Sequence, residues 1–126
     1  QDTPAVGFAM GVERLLELFN NYNADNVKDR NIDIYVANVG SQANLCATRL
    51  VNDLRDKEIL AEKDICQKSL KAQFKYADKK GAKFILTIGD NEVNINKAIL
   101  KNLITGEEVE VKLESDDIIK YIKMCM

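Results

Sequence analysis

Phe84-Ile85-Leu86-Thr87-Ile88 is the stretch that decides the fold. A near-continuous apolar run of this length, rich in β-branched and aromatic residues, suits a strand covered on both faces, at the centre of a sheet. It ends at Gly89. Upstream, the spacing predicts a helix over 70–80, with Leu70, Phe74 and Ala77 on one side, Ser69 as its N-cap and Gly81 just past its end. A short strand over 59–63 precedes it. Before that, Ala43, Cys46, Ala47, Leu50 and Leu54 recur at helical spacing over 42–57, with Ser41 placed to cap. The β-rich segment 32–39 comes first and ends at Gly40. Strand, helix, strand, helix, strand with short turns implies parallel pairing through right-handed crossovers.

Downstream the mode changes. Segments 97–103 and 107–113 flank Thr105-Gly106 and read as an antiparallel hairpin, in which Val109, Val111 and Leu113 alternate with charged residues. Ser115 is placed to cap a last helix running to about residue 124, with Asp116 and Asp117 at the favourable end of its dipole. The expected fold class is therefore α/β: a five-stranded mixed sheet with three helices over residues 32–126. Ahead of it, Pro4-Ala5-Val6-Gly7-Phe8-Ala9-Met10-Gly11 reads as a short buried strand and 12–19 as a helix carrying Val12, Leu15, Leu16 and Phe19 on one face. The Asn/Asp-rich segment 20–31 reads as a linker. The expected organisation is thus 1–19 as a strand–helix remnant, 20–31 as linker and 32–126 as the main domain. With 126 residues there is room for one core and a short appendage. A chain that begins at Gln1 rather than Met is expected to be a piece of something longer.

Composition narrows the chemistry. There is no histidine, which removes imidazole bases, histidine-assisted nucleophiles and histidine metal ligands. Cys46, Cys66 and Cys125 form no CxxC motif and are expected as buried free thiols of a reducing cytosol. No apolar run approaches the ~20 residues needed to span a bilayer, and no signal-peptide pattern opens the chain, so no membrane is expected. The net charge is −2, yet it is segregated: seven lysines between Lys63 and Lys83 face only Asp64 and Asp78, whereas six acids between Glu107 and Asp117 face only Lys112.

Three places could carry chemistry. Lys68, Lys71, Lys75 and Lys79 fall in a stripe about 80° wide on the second helix, which suits either a rail for nucleic-acid phosphates or an ordinary solvated face. Gly40-Ser41-Gln42 and Gly89-Asp90-Asn91-Glu92 follow two parallel strands. They should share the carboxyl edge of the sheet, where open α/β folds collect ligands, or else serve as turns and caps. Asp90 and Glu92 also offer a weak divalent-cation reading. Gly11 opens a helix whose first turn holds Glu13-Arg14, a place for a nucleotide phosphate or simply a surface arginine.

The string Pro4-Ala5-Val6-Gly7-Phe8-Ala9-Met10-Gly11-Val12-Glu13-Arg14-Leu15 closely resembles the third signature motif of class II aminoacyl-tRNA synthetases, in the form it takes in the histidyl-tRNA synthetase family. The rest of the chain is similar to that family's C-terminal anticodon-binding domain. Asp33-Ile34-Tyr35-Val36, Ser69 through Asp78, Gly81-Ala82-Lys83-Phe84, Ile88 through Glu92 and Leu103 through Glu108 appear in the family's order. The resemblance implies that Arg14 is the catalytic arginine contacting ATP phosphates and that Gly11 lets the adenosine approach. It further implies that Ser41, Ser69, Lys71, Gln73, Gly89 and Glu92 lie near the anticodon stem-loop of histidine tRNA. It implies a longer, cytoplasmic parent that is a homodimer and joins histidine to its tRNA with ATP and Mg, with neither membrane nor DNA as a partner. The two other signature motifs of the class are not in this chain, so the chain alone is expected to activate nothing, and no cofactor or metal is expected on it. A regulatory or protein-interaction module of synthetase-like fold is the alternative. The apolar face of the first helix is expected to fold back on the sheet, meet another chain, or fray.

Overall fold

The computed structural model describes residues 2–23 and 31–126. The chain divides into two compact units, Gln1–Arg30 and Asn31–Met126.

In the first unit, the helix α1 spans Val12–Asn23. It takes in the start of the segment expected as linker; the rest of that segment, 24–30, lies outside the described residues. The expected strand over 4–11 is not formed, and all of these residues are exposed. A strand satisfies its backbone through a neighbour, and no described strand pairs with this stretch. On the apolar face of α1, Leu15 and Leu16 stay half exposed.

The second unit begins with β1 (Ile34–Val39), α2 (Ser41–Asp56) and β2 (Ala61–Lys63). It continues with α3 (Leu70–Lys79), β3 (Phe84–Gly89) and α4 (Asp90–Ile95), and ends with β4 (Lys97–Asn102), β5 (Glu108–Lys112) and α5 (Ser115–Cys125). The sheet order is β2-β1-β3-β4-β5; β1 is parallel to both its neighbours, and β4 runs antiparallel to both β3 and β5. The expected five-stranded mixed sheet is therefore present. The short helix α4 is an addition, for the stretch after Gly89 was read as a loop.

Period-two alternation assigns the two faces. Ile34 and Val36 of β1 join Phe84, Leu86, Ile88, Leu100 and Val111 in a core covered by α2 (Ala47, Leu50, Leu54) and α5 (Ile118, Ile122). Tyr35 and Ala37 face the other way, with Ile85, beneath Ala77 of α3. The central strand is near-continuously apolar because helices cover both faces of the sheet. On β4 only alternate residues are buried: Ala98 and Leu100 point inward, while Lys97 and Lys101 pair with Glu110 and Glu108 across the hairpin at 2.6 and 2.7 Å.

Caps set the helix ends. Ser69 caps α3 as expected, its hydroxyl accepting from the Ala72 amide at 3.4 Å. Ser69→Ala should cost roughly 0.5–1 kcal/mol of stability, read by urea denaturation, the low end of the N-cap range suiting so long a bond. Ser41 and Ser115 are not caps: each is the first residue of its helix, after Gly40 and Glu114. Ser115 instead accepts from Lys57 Nζ at 2.8 Å. The cysteines are free, but not buried as expected; Cys66 and Cys125 are exposed and Cys46 is half-buried.

Candidate nucleic-acid interface

The site is built where β1 and β3 end side by side. Their register runs from Ile34↔Phe84 to Val39↔Gly89, which sets Gly40 beside Asp90. The strand following β1 lies to one side of it and β3 lies to the other, so the connections depart in opposite directions. That is the arrangement that opens a crevice at a sheet's carboxyl edge.

Asp90 carries the structural weight that Ser41 does not. Its Oδ1 accepts from the Ala43 amide at 2.9 Å, capping α2 from the neighbouring turn. Glu92 Oε2 accepts from the Gly89 amide at 2.8 Å. Both carboxylates thus serve backbone amides of neighbouring turns. Among the described residues, no group of three or more cysteines and carboxylates could hold a metal ion.

Beside α2's first turn lies a cavity of about 400 Å³ lined by Asn38, Val39, Gly40, Ser41, Asn44, Gln67 and Lys68. Asn38 is 7 % exposed; its Nδ2 donates to the Val36 and Asp64 carbonyls at 3.5 and 3.4 Å. Its Oδ1 has no partner among the described residues and is not sealed from solvent. The wall opposite is Lys68, whose backbone amide donates to Asp64 Oδ2 at 2.9 Å.

Gln73, expected as a contact residue, has no exposed surface. Its side chain binds both walls, accepting from the Asn38 amide at 2.9 Å and donating to the Asn38 and Lys68 carbonyls at 2.9 and 2.7 Å. Direct contact with a ligand is thereby closed to it. Lys68 also departs from expectation, because α3 starts only at Leu70. It stands in the preceding loop, at the cavity mouth, while Lys71, Lys75 and Lys79 remain as the rail. All three are exposed, and none forms a salt bridge among the described residues.

An aromatic pair lies beside Lys68. The Tyr76 ring has Lys68 Nζ 5.6 Å and Lys80 Nζ 5.7 Å from its centroid, and it packs at 5.6 Å on Tyr35. Burial, then the nearby Asp64 charge, pushes the Tyr35 phenol up to about 12, so it stays neutral as a packing surface.

Of the sequence-predicted residues, the fold brings Ser41 and Gly89 to the carboxyl edge with Glu92. Ser69 and Lys71 sit at the start of α3, the former as its cap. Arg14 and Gly11 belong to the other unit. Arg14 is exposed in the first turn of α1, and a methyl group placed on Gly11 would meet only the Arg14 Cβ, at 3.9 Å. These two residues supply one charged corner and one open approach, but no enclosure for a nucleotide. Sequence reasoning missed Asn38, Asn44 and the capping role of Asp90. A polar residue near the end of an otherwise apolar strand was the available signal for Asn38.

A cavity lined largely by polar residues and a helix with three exposed lysines thus belong to the same unit. Residues 33–124 match the family described as the anticodon binding domain, and the chain belongs to it. Its relatives are histidine–tRNA ligases. That of Acetivibrio thermocellus is 47 % identical over 122 residues, covering 97 % of this chain and 29 % of the relative. That of Clostridium botulinum, strain Loch Maree, is 41 % identical over 121 residues, with 95 % and 29 % covered. Among solved structures, the apo histidyl-tRNA synthetase of S. aureus is 38 % identical with a TM-score of 0.69, covering 89 % of this chain and 28 % of that one. The histidyl-tRNA synthetase of Nostoc sp. PCC 7120 is 26 % identical, also at 0.69, with 93 % and 27 % covered. The chain thus spans 29 % of the curated relatives it matches. They give the interaction-module reading no support.

Proposed function

We propose that this chain recognises the anticodon stem-loop of histidine tRNA, as the anticodon-binding part of a longer cytoplasmic histidine–tRNA ligase. The observation that carries it is the cavity beside Asn38, together with the exposed lysines of α3 in the same unit. Phosphate contacts fix register and base contacts specify. Lys71, Lys75 and Lys79 take the first role along a rigid helix. The cavity takes the second, with room for one unstacked base and with Ser41, Asn38 and Lys68, residues able to donate or accept, among those that line it.

In the longer protein, Arg14 would neutralise ATP phosphate charge and Gly11 would admit the nucleotide. The remaining walls, the Mg and a second protomer would come from outside this chain. ATP would supply the activation of histidine there.

Titration of the chain with a histidine-tRNA anticodon stem-loop and a scrambled-anticodon control, at 50 and 200 mM salt, tests the reading. The cognate loop should bind more tightly, and its affinity should fall about 20- to 50-fold across that salt range if three or four lysines each displace a counterion. Equal binding of the two loops would overturn base recognition, and a salt-independent affinity would overturn the lysine rail.

A further inference from the structure

We infer that Gln73 is the positioning residue of the base cavity, setting which loop the cavity accepts without touching it. The inference rests on the proposed anticodon reading and goes beyond it to the device that makes the cavity selective.

A fully buried carboxamide on a helix otherwise facing apolar residues is costly unless every polar atom is satisfied. Gln73 meets that condition with three bonds of 2.7 to 2.9 Å, and all three end on cavity-wall residues. Its amide pairs with both backbone groups of Asn38, as a neighbouring strand would, at the point where β1 runs out of partners. β2 stops opposite Val36, so on that side nothing in the sheet holds Asn38. The same Nε2 reaches the Lys68 carbonyl, and the Lys68 amide is held from the other direction by Asp64. One side chain therefore fixes the Asn38 and Lys68 backbones against each other, and with them the points from which the Asn38 and Lys68 side chains set out. A donor and an acceptor at fixed separation discriminate one base edge from another; at a variable separation they bind several equally.

The test compares Gln73→Met, which keeps length but makes no hydrogen bond, with Ala77→Gly. Ala77 is buried on the same helix and packs in the cluster containing Tyr35 and Ala37, away from the cavity walls. It reports destabilised α3 packing alone. Cognate and scrambled stem-loops are titrated against each folded variant over a range of salt. Gln73→Met should lose about tenfold of the preference for the cognate loop, the worth of one base contact, with its salt slope unchanged. Ala77→Gly should keep the preference. Gln73→Asn, one methylene too short to span both walls, should reproduce the loss if the methionine variant does not fold. In amide exchange, the Asn38 amide should open faster in the Gln73 variants than in Ala77→Gly.

If the unmodified chain itself fails to distinguish the two loops, the anticodon reading falls and takes this inference with it. If the chain distinguishes them and the Gln73 variants do so equally well, positioning is overturned while the reading stands. Equal loss of preference in Ala77→Gly also overturns it, reducing Gln73 to a stability residue.

Discussion

Gly40→Ala should destabilise the Asn31–Met126 unit by about 3 kcal/mol, the sum of a Gly-only backbone conformation and a lost helix cap. Gly40 has φ +110° and ψ 159°, a region that side-chain-bearing residues scarcely visit. An added Cβ would also fall within 3.0 Å of the Asp90 carboxyl group. Asp90 cannot simply swing away, because its Oδ1 caps α2 at the Ala43 amide. The collision and the cap are one problem: relieving the first removes the second. In urea the midpoint should drop by roughly 1.5 M for a slope near 2 kcal/mol/M. Asp90→Ala in the same background makes a sharper test. With the carboxylate gone the collision disappears, so the double variant should cost less than the two single variants added together. Strict additivity, or a Gly40→Ala midpoint equal to that of the unmodified chain, would show that the two turns do not meet as described.

Replacing Lys71, Lys75 and Lys79 together by Gln should weaken stem-loop binding about 100-fold at low salt and flatten the log–log salt slope by roughly two to three. Glutamine keeps helix propensity and leaves the core alone. These side chains are exposed, so the thermal midpoint should hardly move. The binding curves of variant and unmodified chain should converge as salt rises towards 1 M, where displaced counterions no longer help. Preference for the cognate loop should survive, because the rail contacts phosphates that every sequence shares. A variant that kept the original slope would reduce α3's basic face to solvated surface and move the phosphate contacts elsewhere.

Much of this was legible in the sequence because it depends on local pattern. The run 84–88, the helical spacing over 42–57 and 70–80, the Ser69 cap and the alternating hairpin each follow from neighbours within a few residues. What failed had a non-local cause. Pro4 to Gly11 has an apolar strand's composition, but a strand is completed by a partner, and among the described residues none pairs with it. Ser41 is a good cap by type, yet Asp90, 47 positions beyond the Ala43 amide that it caps, reaches the helix instead. Residues 90–95 look like a turn, and become a helix because Glu92 folds back on the Gly89 amide.

For function the division falls in the same place. The sequence by itself determined the mixed sheet, the segregation of lysines onto one helix and the resemblance that pointed to tRNA, since these reside in residue identity and spacing. Only the tertiary structure decided which polar residues face a ligand and which hold the facing residues in place. Gln73 and Lys68 are five positions apart and equally polar on paper. The crossover from β2 over β1 to β3 buries the first under the sheet edge and leaves the second at the cavity mouth. Burial is a property of that packing, which forms only when strands distant in sequence close on one another.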